Sequence, residues 1–97
     1  MAGYIVLYKW TQQGAANIKA APERIKQNRA AAEQAGIKVV GIWVTMGEYD
    51  VVAVVDAPNE QAAAVAALSQ ASQGNVTTQT MRAFSEEEFA QLVSRLP

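Results

Sequence analysis

The sequence predicts one α+β domain in which strands and helices follow in the order β-α-β-β-α-β, with one further helix at the C-terminus. The chain has 97 residues, which is the length of a single small domain. Runs of β-branched and aromatic residues alternate with stretches of good helix formers, and Gly residues mark the boundaries between them. This order is that of a ferredoxin-like, split βαβ arrangement, with an antiparallel sheet of strand order 4-1-3-2.

Strand one and the helix after it occupy the first third of the chain. The segment Tyr4–Trp10 is rich in β-branched and aromatic residues and predicts a strand. A short, poorly defined helical stretch follows and ends near Ala20. Pro22 suits the start of a helix, because its missing N–H would be unpaired there. A helix is therefore predicted over 22–35, with Gly36 as its left-handed stop.

A hairpin, a second helix and a fourth strand follow. Strands are predicted over 38–46 and 49–57, with Gly47-Glu48 as a tight connection. An alanine-rich helix is predicted over 60–73. Strand four, over 76–83, is rich in threonine, which suits the edge of a sheet.

The C-terminal helix carries the clearest local signal. Ser85 and Glu88 have the spacing of a capping box, and Phe84 and Phe89 have that of a hydrophobic staple. Apolar residues then recur with helical spacing at Phe89, Leu92, Val93 and Leu96. This pattern is typical of a helix face that is buried.

The strands are apolar on both faces. Alternation along strand one puts Tyr4, Val6, Tyr8 and Trp10 on one face and Ile5, Leu7 and Lys9 on the other. In strand two it puts Val40, Ile42, Val44 and Met46 opposite Val39 and Trp43. Two crossover helices cover only one face, so the second face predicts an interface. We expect two sheets packed face to face in a homodimeric α/β barrel; the alternative is a monomer whose C-terminal helix covers its own sheet.

Composition and charge exclude several functional classes. The net charge of -1 offers no basic surplus for nucleic acid. The absence of Cys and His removes disulfides, thiolate metal sites and the usual general base. No apolar run approaches the roughly 18 residues of a membrane span, and the N-terminus lacks a signal-peptide pattern. We expect a cytoplasmic protein with no metal or cofactor and with neither nucleic-acid nor membrane partners.

One end of the predicted sheet gathers residues suited to a small-ligand site. If strands one and three pair antiparallel, Lys9 lies opposite Asp50, and strand four brings Thr78 or Gln79 alongside Lys9. The other candidates at this end are Tyr8, Trp10, Tyr49 and Glu48. In a functional interpretation, Lys9 is an anion anchor or a base and Asp50 orients the ligand or accepts a proton. The structural alternative is an ion pair beside a hairpin turn.

Several short strings, taken together, resemble the GYD domain family. They are Tyr4-Ile5-Val6-Leu7, Thr11-Gln12-Gln13-Gly14, Gly47-Glu48-Tyr49-Asp50-Val51-Val52, Gly74-Asn75-Val76 and Arg82-Ala83-Phe84. The string that names the family is present as Gly47, Tyr49 and Asp50. The resemblance implies the dimeric α/β-barrel form of the ferredoxin-like fold and supplies no catalytic residues. Ala21 departs from the family's usual serine before the proline, which removes a helix cap.

Three functional hypotheses follow from these patterns. The favoured one is a non-catalytic or regulatory module that acts as a homo-oligomer and binds a small apolar or aromatic ligand, with an anionic group near Lys9. The second is a cofactor-free monooxygenase or isomerase acting on an aromatic or enolisable substrate, with Asp50 or Tyr49 moving the proton. That hypothesis rests on fold analogy alone. The third is a structural assembly unit without a pocket.

Overall fold

A computed structural model describes residues 1–97 and contains one four-stranded antiparallel sheet. Its strands are β1 (Ala2–Trp10), β2 (Lys38–Val44), β3 (Val51–Ala57) and β4 (Val76–Ala83). Its helices are α1 (Gln12–Ala16), α2 (Ala21–Gln34), α3 (Glu60–Ser72) and α4 (Glu86–Val93), with a 3-10 turn at Ile18–Ala20. The sheet order β2-β3-β1-β4 is the predicted 4-1-3-2 read from the other edge, so the ferredoxin-like fold is confirmed. None of the helices is both long and apolar enough to cross a membrane.

Glycines and side-chain caps set the ends of the helices. Gly36 and Gly74 have φ angles of 84° and 82°, the left-handed conformation that ends a helix at low cost. Asn59 caps α3, because its side chain accepts a hydrogen bond from the Ala62 N–H at 2.8 Å. The start of α2, by contrast, has no side-chain cap.

The β2–β3 hairpin is longer than the tight Gly47-Glu48 connection that the sequence predicts. Residues 45–50 separate the two strands. Asp50 ends this connection, and both its backbone and its side chain bind the end of β1. Its N–H donates to the Tyr8 carbonyl at 2.8 Å, and its carboxylate accepts a hydrogen bond from the Trp10 N–H at 2.8 Å.

A β-bulge in β2 changes which of its side chains share a face. Val39 and Gly41 pair with the consecutive residues Val55 and Val54, so one residue of β2 is extra. Strict alternation predicts Val39 on the same face as Trp43. That prediction is wrong, because the extra residue inverts the alternation beyond it and leaves the two side chains on opposite faces.

The sheet has one covered face and one face that no helix covers. The covered face lies under α2 and α3 and carries the buried residues Tyr4, Val6, Val51, Ala53 and Ala57. We call the other the open face; its apolar residues are Ile5, Leu7, Trp43, Val52, Val54 and Met81. Trp43 is 54% exposed there.

The α4 helix forms as predicted but packs differently. The capping box is present: the Ser85 N–H donates to the Glu88 carboxylate at 3.0 Å, and the Glu88 N–H donates to the Ser85 hydroxyl at 3.1 Å. The hydrogen bond from the Ser85 backbone lowers the pKa of Glu88, and the nearby Arg82 acts in the same direction. The expected burial of the apolar face is not seen within one chain, where Phe89 is 62% exposed. The reason is that α4 packs extensively against no other element, its own sheet included.

Two of the family strings bind each other and close one end of the sheet. The Thr11 hydroxyl donates to the Gly74 carbonyl at 2.6 Å, and the Thr11 N–H donates to the Asn75 carbonyl at 3.0 Å. The Gln13 amide donates to the Asn75 side chain at 3.1 Å. Gly14 lies so close that a Cβ built on it would be 2.0 Å from the Asn75 carbonyl oxygen. These strings therefore have a structural role that requires glycine at position 14.

Replacing Gly14 with alanine is expected to lower the free energy of unfolding by at least about 2 kcal/mol, because the Asn75 backbone has to move. Denaturant unfolding followed by circular dichroism measures the change. The control is Ala15→Gly in the same short helix, which changes helix propensity by only about 1 kcal/mol. A Gly14→Ala variant as stable as the parent would contradict the close approach.

Candidate functional site

The site residues that the sequence predicts are divided between the two faces of the sheet. Tyr8 and Trp10 line the space under the helices, on the covered face. Thr78 pairs with Tyr8 and shares that face. Lys9 lies between Tyr8 and Trp10 in β1, so its side chain is on the opposite face of the sheet. Its partner on β4 is Thr77, one residue from the predicted neighbour. One pocket therefore does not enclose all the predicted residues.

The open face carries the charged part of the predicted site. Lys9 Nζ lies 3.7 Å from the Glu48 carboxylate and 5.1 Å from the centre of the Tyr49 ring. The Tyr49 hydroxyl in turn lies 2.7 Å from the Gln79 side-chain oxygen and donates to it. Lys9 is about half exposed and Glu48 is largely exposed, and ion pairs near the surface contribute at most about 1 kcal/mol. The Asp50 carboxylate binds the Trp10 backbone instead of Lys9.

A cavity of about 90 Å³ lies on the covered face, between the sheet and helices α2 and α3. Most of its lining is hydrophobic. The two helices contribute only small apolar side chains over much of it: Ala21, Ala32, Ala63, Ala66 and Ala67. No large side chain in the protein is fully buried. The alanine faces of the helices thus leave space above the sheet that side chains do not fill.

Polar side chains of α2 and of the C-terminal end of α3 line part of the cavity. The Gln73 amide donates to the Asn28 side-chain oxygen at 3.1 Å and links the two helices. Gln70 lies beside the Tyr8 hydroxyl. Burial raises the pKa of the Tyr8 phenol, and the interaction with Gln70 opposes that shift. At neutral pH Tyr8 is therefore protonated and offers a hydrogen-bond donor to the cavity.

Arg24 gives this part of the cavity a positive charge. Its Nη1 donates to the Asn17 carbonyl at 2.8 Å, whereas its Nη2 is buried and has no hydrogen-bond partner. Arg29 also lines the cavity, but its Nε lies 3.6 Å from the Glu33 carboxylate. No Asp or Glu is among the lining residues. An uncompensated cation at an apolar cavity favours a negatively charged ligand group.

Arg24, Asn28 and Gln70 are not among the residues predicted from the sequence. The four-residue spacing of Arg24 and Asn28 places them on one helix face, and this is the signal that the sequence offers. It is weak, because an alanine-rich helix has no strong apolar stripe to show which side meets the sheet. No group of three or more acidic side chains is close enough to hold a metal ion.

Fold and site together define a ferredoxin-like α+β domain with a small cavity on one side of its sheet and an uncovered apolar surface on the other. A profile of the GYD domain matches residues 4–93, so the chain belongs to the GYD domain family, as its sequence strings indicate. The chain is 38% identical over 97 residues to the "glutamine synthetase and cystathionine beta-lyase binding protein" of Thermus thermophilus, with 99% of each chain covered. No solved structure matches it at a significant level.

Filling the cavity tests whether it exists in solution. Ala66→Leu is expected to raise the free energy of unfolding by about 1 kcal/mol, because the added carbons gain apolar contacts in unoccupied space. The matched control is Ala64→Leu, on the exposed side of the same helix. Denaturant titration of both variants gives the difference. An Ala66→Leu variant about 1–3 kcal/mol less stable than the control would contradict the cavity. That loss is the usual cost of adding carbons to a core that is already filled.

Proposed function

We propose that this protein is a non-catalytic, regulatory binding protein of the cytoplasm, which acts as a homodimer and carries a small apolar or aromatic ligand. The observation that carries the proposal is the open face, an apolar sheet surface that the chain itself does not cover. The relative's name, which describes a binding protein for two enzymes, supports a binding role over a catalytic one.

The surface of the isolated chain supports a second copy as the occupant of the open face. The chain exposes 6622 Å², whereas a compact monomer of this mass exposes about 5400 Å². Its radius of gyration is 14.6 Å, against about 12.5 Å expected for this length. The excess surface exceeds the roughly 800 Å² that one partner contributes to a standard interface. A dimer that covers the open face would remove part of this excess; another part belongs to α4, which packs extensively against no other element.

The arrangement of side chains on the open face also suits an interface. Its centre is apolar, and charged residues such as Lys9 and Asp56 lie near the ends of the strands, as in interfaces with a polar rim. Trp43 lies flat across the strand, since a Cβ on Gly41 would be 2.4 Å from its ring. In a dimer with two-fold symmetry, the same surface patch of each subunit forms the interface. A flat aromatic surface can pack against its own copy in this way.

Trp43→Arg is expected to convert the dimer to a monomer, because two unpaired cations would face each other at the centre of the interface. Light scattering coupled to size exclusion measures the mass. The parent and the control Val65→Arg, on the outer side of α3 where Val65 is 65% exposed, should both give twice the chain mass of 10.4 kDa. A parent that is monomeric at every concentration would contradict the proposal, as would a dimeric Trp43→Arg variant.

We assign the contact with protein partners to the apolar stripe of α4. This stripe consists of Phe89, Leu92 and Val93, with Leu96 just beyond the end of the helix, and all four are more than a third exposed. An amphipathic helix that stands apart from its own domain suits the groove of another protein. By extension from the relative, the proposed partners are glutamine synthetase and cystathionine beta-lyase of the source organism.

Phe89→Ser is expected to reduce capture of these two enzymes by the immobilised protein at least tenfold, because buried aromatic anchors dominate such interfaces. The control is Gln91→Ser on the same helix, which should capture as the parent does. Scattering should show that both variants keep the parent's mass. Failure of the parent to capture either purified enzyme would contradict the assignment.

The small-ligand part of the proposal draws support from the cavity, which two of the predicted residues, Tyr8 and Trp10, line. The anchoring of an anionic group by Lys9 stays a prediction. It concerns a different surface, where Glu48 already lies within 3.7 Å of the ammonium group. The cavity and Lys9 are on opposite faces of the sheet, so mutations can test their contributions to ligand binding separately.

A further inference from the structure

We infer that the cavity under α2 and α3 binds a small monocarboxylate with an apolar body, and that Arg24 Nη2 holds its carboxylate. This inference rests on the proposed small-molecule function and adds the chemical class of the ligand and the residue that anchors it.

Arg24 has one buried guanidinium nitrogen, Nη2, that lacks a hydrogen-bond partner. A buried donor without an acceptor is costly, so native structures rarely leave one unsatisfied. The bond from Nη1 to the Asn17 carbonyl, 2.8 Å long, fixes the guanidinium group. Arg24 is among the residues that line the cavity, and its Nη2 is buried without a hydrogen-bond partner. A ligand carboxylate at this place would supply the missing acceptor through a charge-assisted hydrogen bond.

The charge of the lining selects an anion. Arg24 forms no ion pair, Arg29 is paired with Glu33, and no acidic residue lines the cavity. Tyr8 adds a second donor, because its buried phenol keeps its proton. The walls are otherwise mostly apolar. One free cation and apolar walls suit a monoanion, whereas a phosphate dianion would need several cations to offset its loss of hydration.

The size of the cavity limits the body of the ligand. Its volume is about 90 Å³, below the roughly 150 Å³ of an apolar cavity that admits benzene. A branched four-carbon chain that ends in the carboxylate is therefore the upper limit, and a benzene ring is too large. Long acyl chains are too large.

The test uses the full-length protein and two pairs of probes: 3-methylbutanoate with its amide, and butanoate with its amide. Titrations followed by calorimetry or by amide chemical shifts measure affinity. We expect the acids to bind at least tenfold more tightly than the amides, since a charge-assisted bond is replaced by a neutral one. Arg24→Gln should remove that preference. Lys9→Ala should leave it unchanged, and Ala66→Leu should weaken acids and amides alike.

Equal affinity of the parent for acids and amides would overturn the inference, and this comparison needs no variant that has to fold. Loss of the acid preference in Lys9→Ala instead of Arg24→Gln would overturn it as well, while the small-molecule function would stand. Failure of all four probes to bind would also overturn it. In that case native mass spectrometry of protein purified from its own host shows whether the small-molecule function fails too. A retained small molecule would mean that only the proposed ligand class is wrong.

Discussion

Alanine forms much of the sheet-facing side of α2 and α3. This choice of side chain determines both the cavity on the covered face and the small number of buried residues. Alanine lets a helix lie close to a sheet, but it does not fill the space between the larger side chains beneath it. The larger apolar residues of α3, Val65 and Leu68, point away from the sheet and are 65% and 69% exposed. The covered side therefore contains a cavity instead of a dense core.

The same constraint makes the open face more important for stability. Only nine of the 97 residues are buried, and burial of apolar surface is the dominant favourable contribution to folding. Because the helices bury little, much of the surface that would stabilise the chain lies on the opposite side of the sheet. Association through that side would link folding to dimerisation, and stability would then depend on protein concentration. The cavity and the exposed apolar surface of the open face are thus two consequences of one arrangement.

Local signals predicted the order of the elements well, because each has a local physical cause. Gly36, Gly74 and the Ser85 capping box end or begin helices through their own backbone and side-chain chemistry. The bulge in β2 was not predicted, although Gly41 inside the strand is a residue that often marks a bulge. The position of Asp50 also depends on a contact, with the Trp10 N–H, that lies 40 residues away in sequence.

The candidate site was harder to predict than the fold. Tyr8, Lys9 and Trp10 are consecutive, and proximity in sequence suggests one site, but alternation along β1 divides them between two faces. Arg24 was missed because its significance comes from a buried nitrogen without a partner. No sequence pattern records that property. Only the packing of α2 against the sheet shows it.

The central claim is that the open face is covered by a second copy and that the cavity is a separate compartment. The two tryptophans lie one on each face, so fluorescence can test it directly. In a Trp10→Phe background, acrylamide quenching of Trp43 reports only on the open face. We predict that Trp43 is protected at high protein concentration and becomes fully quenchable, with red-shifted emission, as dilution separates the subunits. A Trp43 that is quenched like free indole at every concentration would show that the open face meets only water, and the account would be wrong.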